Sequence, residues 1–233
     1  MNNPRKTLRI ISLIMGCKML LLLAASAQED KVQLQFVSFP RSANPRPVEL
    51  VIGKEKTIMV DLPTNSISKA YSVERMGNWT LGITTTDAEG MPSFTVYGKV
   101  KSIVAKKQII LVIRKGINNS DGLELIPMAN QTTGFGGGKC FIMNASTIDI
   151  AGKVGEKVFA LKPRKHTIIK PKASREKNNR KYSNAYFYYK KNKKPEPFFS
   201  SVWRLSDNAR NLVFIYHEPT AKRLRLHIIR DYL

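Results

Sequence analysis

From residue 28 onward, no stretch of twelve or more residues carries the 3.6-residue apolar period of an amphipathic helix, whereas period-two alternation recurs along the chain. Val32-Gln33-Leu34-Gln35-Phe36 alternates apolar and polar side chains, as a half-buried strand does. Phe94-Thr95-Val96-Tyr97-Gly98-Lys99-Val100-Lys101 alternates again, with its lysines on one face. Residues 109–113 are five apolar residues in succession, mostly β-branched, which is the pattern of a strand covered on both faces. Leu224-Arg225-Leu226-His227-Ile228 returns to alternation. Turn-forming clusters separate these runs at 40–47, 87–92, 117–122, 206–211 and 217–221. The expected class is all-β.

The order of elements occurs twice. Phe36-Val37-Ser38-Phe39, Ile52-Gly53-Lys54-Glu55, Leu62-Pro63, residues 109–113 and Leu123-Glu124-Leu125 form the first series. Phe141-Ile142-Met143-Asn144, Val154-Gly155-Glu156-Lys157, Leu161-Lys162-Pro163, residues 212–216 and Leu224-Arg225-Leu226 form the second, with one extra residue in its third element. This spacing predicts two tandem small β-sandwich-like domains of about 100 residues each. Residues 28–130 would be the first domain and 139–233 the second, joined by a Gly-rich linker over 131–138. Gly138-Lys139 invites a phosphate-loop reading, but that motif needs Gly where Thr133 stands and Ser or Thr where Cys140 stands.

Residues 1–27 have the layout of an export signal. Arg5, Lys6 and Arg9 form a basic start, apolar residues follow, and Ala25-Ser26-Ala27 fits the small-x-small cleavage pattern before Gln28. Lys18 interrupts the apolar run, and a charge at mid-membrane costs about 2.5–3.5 kcal/mol on insertion scales, which argues against a stable transmembrane anchor. Translation from Met15 would instead make Lys18 the basic start of a shorter signal. Ile14-Met15-Gly16-Cys17 resembles a lipidation site, but the apolar run continues past its cysteine. Cleavage leaves Cys140 as the sole cysteine, expected as a small buried apolar side chain, with no internal disulfide to form.

Composition matters through its distribution. The chain has 39 Lys+Arg against 17 Asp+Glu, a net charge of +22. Four of those positives lie in the signal, residues 28–133 hold 13 basic and 10 acidic side chains, and residues 134–233 hold 22 and 7. The second half therefore carries +15 and the first +3. From 162 to 194 there are 13 Lys/Arg and a single acid, Glu176. Within it, residues 170–181 are almost free of apolar side chains and read as a loop. Tyr182-Ser183-Asn184-Ala185-Tyr186-Phe187-Tyr188-Tyr189, a lysine-rich stretch, Phe198-Phe199 and Trp203 then read as a hairpin with aromatic strands and a basic tip. Most of these rings are expected to fill a core, though rings can also line a sugar-binding surface. Arg223, Arg225 and His227 alternate with Leu224, Leu226 and Ile228 and should share an outer face.

Such asymmetry attracts polyanions. The expected anion-binding set is Lys162, Arg164, Lys165, Lys170, Lys172, Arg175, Lys177, Arg180, Lys181, Lys190, Lys191, Lys193, Lys194, Arg223 and Arg225. An exported protein, periplasmic or secreted and held at a surface, meets anionic envelope or extracellular polymers rather than nucleic acid. Enzyme signatures are sparse. His217-Glu218 opens a zinc-protease pattern that stops there, and no G-x-S-x-G elbow is present, so no catalytic residue, metal or cofactor is expected. The reading is an exported, non-enzymatic binding or structural protein contacting an anionic polymer or surface through its second half. The rival classes are an envelope hydrolase built from scattered carboxylates (Asp61, Asp87, Glu89 or Glu124) and an assembly subunit that pairs an edge strand with a partner. Asn78, Asn118, Asn130 and Asn144 each open an N-x-[ST] triplet. N-terminal sequencing should find the exported chain beginning at Gln28; a precursor that begins at Met1 would rule out the Met15 start.

Overall fold

A computed structural model describes residues 31–41, 47–86, 88–116, 122–131, 134–218, 221 and 223–233, so the expected export signal lies outside the described residues. These residues form an all-β protein. The first half contributes β1 (Lys31–Phe39), β2 (Val48–Gly53), β3 (Lys56–Val60) and β4 (Tyr71–Glu74). It continues with β5 (Asn78–Thr86), β6 (Pro92–Lys101), β7 (Lys107–Arg114) and β8 (Leu123–Ala129). The second half opens with β9 (Cys140–Asn144), β10 (Ile150–Val154), β11 (Lys157–Leu161), β12 (His166–Ile169) and β13 (Arg175–Lys177). It ends with β14 (Arg180–Lys191), β15 (Lys194–Leu205), β16 (Ala209–His217) and β17 (Leu224–Tyr232).

Each half folds into two sheets with matching strand order. The inner sheets run β4-β1-β7-β8 and β12-β9-β16-β17; the outer sheets run β3-β2-β5-β6 and β11-β10-β14-β13, with β15 also paired to β14. In both inner sheets the first strand pairs parallel with the seventh element, β1 with β7 and β9 with β16. A parallel pair at the same place in two otherwise antiparallel sandwiches goes beyond generic strand–turn spacing, and β13 is the one insertion. Buried polar side chains set the true register. Ser38 Oγ donates to the Leu62 carbonyl at 2.7 Å, and Asn144 Nδ2 donates to the Leu161 carbonyl at 3.0 Å. Ser38 therefore corresponds to Asn144 and Phe36 to Ile142, so the alignment of Phe36 with Phe141 is one residue out. In a strand that slip exchanges faces.

The faces show why it matters. On β1 and β7, Val32, Leu34, Phe36, Ile110 and Val112 pack toward the first outer sheet. The alternate residues Val37, Phe39, Ile109, Leu111 and Ile113 pack instead against Phe141, Met143, Leu212, Phe214 and Tyr216 of the second half. Cys140, Ile142, Val213 and Ile215 complete the pattern by packing on the second outer sheet. The result is four stacked sheets whose two inner members are covered on both faces. Phe39 centres the inner seam, 4.4 Å from the Tyr216 ring and 5.6 Å from that of Phe214. Around it, Arg164 pairs with Glu124, and His227 contacts the Thr64 carbonyl.

The Gly-rich connection takes part in this packing. Phe135 is buried in the seam, and Arg210, 3% exposed, lies over its ring. Arg210 also donates to the Phe135 carbonyl, to Asn130 Oδ1 and to Asp231 Oδ2. Gly137 is required by close approach, since a Cβ there would stand 1.7 Å from the Asp207 carbonyl oxygen.

A shared seam predicts joint unfolding. Phe214→Ala should cost about 3–5 kcal/mol, and both it and the unaltered chain should lose structure in one denaturant transition rather than two. The seam also carries a pH dependence. Burial lowers the His227 pKa, an effect only partly offset by the Thr64 carbonyl. The unfolded chain therefore binds more protons below its ordinary value of about 6.5. Stability should hold above that pH and fall as the solution is acidified toward the lower folded value, and His227→Gln should flatten that slope in denaturant titrations.

Candidate polyanion-binding surface

The basic residues are placed by the second outer sheet. β14 and β15 form a ribbon of two twelve-residue strands, closed by a two-residue turn between Lys191 and Lys194. Asn192 and Lys193 both have positive φ, 51° and 65°, the type I′ geometry that suits strand twist. At its other end β14 turns back into β13 through Asn178 and Asn179, at φ 52° and 56°. Thus residues 170–181, expected as a loop, include a strand and a tight turn. All three residues of β13 are exposed, so it needs no apolar side chain, and the polarity that reads as a loop fits an edge strand equally well.

The ribbon sorts its aromatics by parity. Phe187 and Trp203 are buried in the second core, with Phe159, Tyr189, Phe198 and Phe199 packed against it. A bulge at Phe198 lets the consecutive Phe198 and Phe199 both reach that core. Tyr182, Tyr186 and Tyr188 alternate onto the opposite, outer face. Core filling accounts for the phenylalanines and Trp203, while the three tyrosines keep a surface.

Two basic clusters stand out at the ribbon's ends. Lys170, Lys172, Arg180 and Lys181 line a broad cleft of about 1090 Å³ together with Lys157 and Arg204. Its acid is Asp207, 3.9 Å from Lys181; Lys172 also lies 3.8 Å from Glu156. The main chain around the cleft is tightly held: Gly138 has φ +73°, and a Cβ on Gly155 would stand 2.8 Å from the Lys172 carbonyl oxygen. Lys157 and Arg204 lie outside the run from 162 to 194, so charge density along the chain does not reveal them. Cross-strand register does, because Arg204 pairs with Tyr182. The second cluster is Lys190, Lys191, Lys193 and Lys194 at the hairpin tip, where Lys191 and Lys194 stand directly opposite. Like charges so placed destabilise a hairpin. Arg175 and Lys177 sit on β13, with the Arg175 guanidinium 5.5 Å from the Tyr182 ring centre.

The rest of the expected set does not join these clusters. Arg164 is committed to Glu124 and to the Ala145 carbonyl, in the turn that also holds Lys162 and Lys165. Arg223 and Arg225 both donate to Glu218 Oε2, at 3.2 and 2.9 Å, and these bonds hold the Glu218 carboxyl below its usual range. Of their expected outer face, Arg223 and Arg225 keep exposed side chains, 61% and 44%, whereas His227 is turned toward the first half. Leu224, Leu226 and Ile228 pack on the second outer sheet, whereas His227 and Ile229 face the first half.

Elsewhere the chemistry is quiet. Cys140 is fully buried, and burial raises its thiol pKa to about 11, which keeps it protonated at neutral pH. Asn144 is buried with its amide engaged by the Ile148 and Leu161 carbonyls, so its N-x-[ST] triplet is not accessible in the folded chain. Of the four candidate carboxylates, Asp61 accepts from Tyr71 Oη and pairs with Lys69, Glu124 pairs with Arg164, and Asp87 lies outside the described residues. A second hollow of about 530 Å³ lies at the seam, lined by Met128, Phe141, Arg164 and His166 among others, with no carboxylate in its wall among the described residues. Among the described residues, no group of three His, Cys, Asp or Glu is arranged to hold a metal ion. Compared with known proteins, the chain matches no family model and no curated sequence.

Proposed function

We propose that this chain is an exported, non-enzymatic binding or structural protein that holds an anionic polymer or surface of the envelope or extracellular space. The observation that carries the reading is the cleft at the end of the β14–β15 ribbon. Lys157, Lys170, Lys172, Arg180, Lys181 and Arg204 line it against one acid, Asp207. Cations gathered from four separate stretches of chain repel one another, and an anionic ligand removes that repulsion. The cleft is wide and its ammonium and guanidinium groups are largely solvated, which suits a polymer contacted at many points better than a small molecule enclosed on all sides.

Among the described residues the cleft wall holds one carboxylate, Asp207, and the nearby Glu156 pairs with Lys172, an arrangement that does not resemble the facing carboxylates of a glycosidase-type centre. The β15 edge is guarded by Pro195, Pro197 and its bulge, which disfavours strand addition there.

Retention on immobilised alginate should weaken steeply as salt rises, because counterions are released when the charges pair. Replacing Lys170, Lys172, Arg180 and Lys181 together by serine should lower affinity at least about tenfold, from the summed worth of four exposed ionic contacts. Binding that survives high salt unchanged, or that ignores the fourfold replacement, would overturn the charge-driven reading. Cell fractionation with graded salt washes tests attachment in place: the chain should leave the envelope fraction as salt rises.

A further inference from the structure

We propose that the outer face of the β14–β15 ribbon is a track for one extended acidic polysaccharide chain, anchored at the cleft and again at the hairpin tip. This rests on the polyanion reading above and specifies its ligand. The two basic clusters occupy opposite ends of one continuous strand, and Arg180 in the cleft and Lys190 at the tip share the parity of its outward tyrosines. Ten residue steps at about 3.3 Å each separate them by about 33 Å, so a single small anion cannot touch both.

What lies between them points to sugar. Tyr182, Asn184, Tyr186 and Tyr188 alternate onto the outer face of β14. Their cross-strand partners place Ser200 and Lys153 beside Tyr186, and Val202 beside Asn184. This sheet is the outermost layer of the second half, and Tyr186 and Val202 are exposed at 38% and 43%. Tyrosine rings give a pyranose ring an apolar face to lie on, and their hydroxyls, with Asn184 and Ser200, offer hydrogen bonds to its substituents. Charge is sparse from Asn184 to Tyr188, where Lys153 is the neighbouring cation, while Arg204 and Arg175 flank Tyr182 at the cleft end. A nucleic acid carries a phosphate at every step and calls for cations interleaved with the rings. A polysaccharide with more widely spaced acid groups matches tyrosines in the middle and lysines at the ends.

The tip cluster supports the second anchor. Lys191 opposes Lys194, and Lys193 holds φ 65°, a region unfavourable for a residue with a Cβ. Four lysines within five residues on a strained turn destabilise the free hairpin, and a polyanion end seated there relieves their repulsion.

The test is a length series on the full chain with size-fractionated heparin fragments, some shorter and some longer than the ribbon. Fragments that span both clusters should bind about 100-fold tighter than those that reach only one, because the second contact becomes intramolecular. Replacing Lys190, Lys191, Lys193 and Lys194 by serine should abolish that gain and bring long fragments down to the affinity the cleft alone supplies. Tyr186→Ala and Tyr188→Ala should weaken long fragments several-fold without altering the salt slope. Smooth affinity growth with no step at the ribbon length would overturn the track while leaving cleft binding intact. Failure of every fragment to bind at low salt would remove the polyanion reading as well. Tighter binding of single-stranded DNA of equal contour length would overturn the assignment to polysaccharide. The length series needs no variant, so the outcome does not depend on any altered chain folding.

Discussion

Burial of both faces of the two inner sheets is the constraint on which the rest of the structure depends. Strands β7, β9 and β16, and the end of β1 from Phe36, are apolar or buried at odd and even positions alike, so neither face can be left to water. Each outer sheet covers one face, and the two inner sheets cover each other. At about 1.5–3 kcal/mol for each large apolar side chain fully buried, the seam around Phe39, Ile109, Leu111, Phe141 and Phe214 is a main source of stability rather than a loose domain contact. Arg210 extends its influence to the connecting segment. Its guanidinium is almost wholly buried, and its bonds to Asn130, Phe135 and Asp231 tie the end of the first half to the last strands of the second.

The placement of charge follows from that layering. Unpaired cations cannot be buried cheaply, so they are excluded from both faces of an inner sheet and from the inner face of an outer one. The outward face of the second outer sheet, its edge strand β13 and its hairpin ends are where an excess of lysine can sit. Where basic residues do fall near the seam, they are matched: Arg164 by Glu124, Arg210 by Asp231. The cations of the cleft share one acid in its wall, and those of the tip stand against one another. That contrast separates the basic residues that support the fold from those offered to a ligand.

Particular residues show how far the sequence could be read. Alternation identified β1, β6 and β17, and the unbroken apolar run at 109–113 marked β7 as covered on both faces. The recurrence of elements foretold the repeated strand order, yet the match of Phe36 with Phe141 was one residue out. Both are phenylalanines in strands, and only the buried Ser38 and Asn144, each reaching a leucine carbonyl at the end of the third strand, reveal the phase. His227 reads as an outward residue because alternation reports that two faces differ without saying what covers the polar one. Residues 170–181 lack the apolar side chains by which strands are recognised, and β13 exists because backbone pairing to β14 suffices at an edge. For the cleft, the run from 162 to 194 pointed to the right region and to four of its six cations, while Lys157 and Arg204 arrive from other strands.

Local pattern alone determined that this chain would be all-β, that its elements would recur, and that its positive charge would lie in the second half. These properties follow from side-chain periodicity and composition, which act within a few residues. Tertiary structure decided which faces meet, and therefore that two sandwiches fuse through a common seam. It also divided thirteen clustered charges into paired supports, a cleft and a hairpin tip. Those outcomes depend on contacts between residues far apart in sequence, whose burial is settled only when the sheets stack.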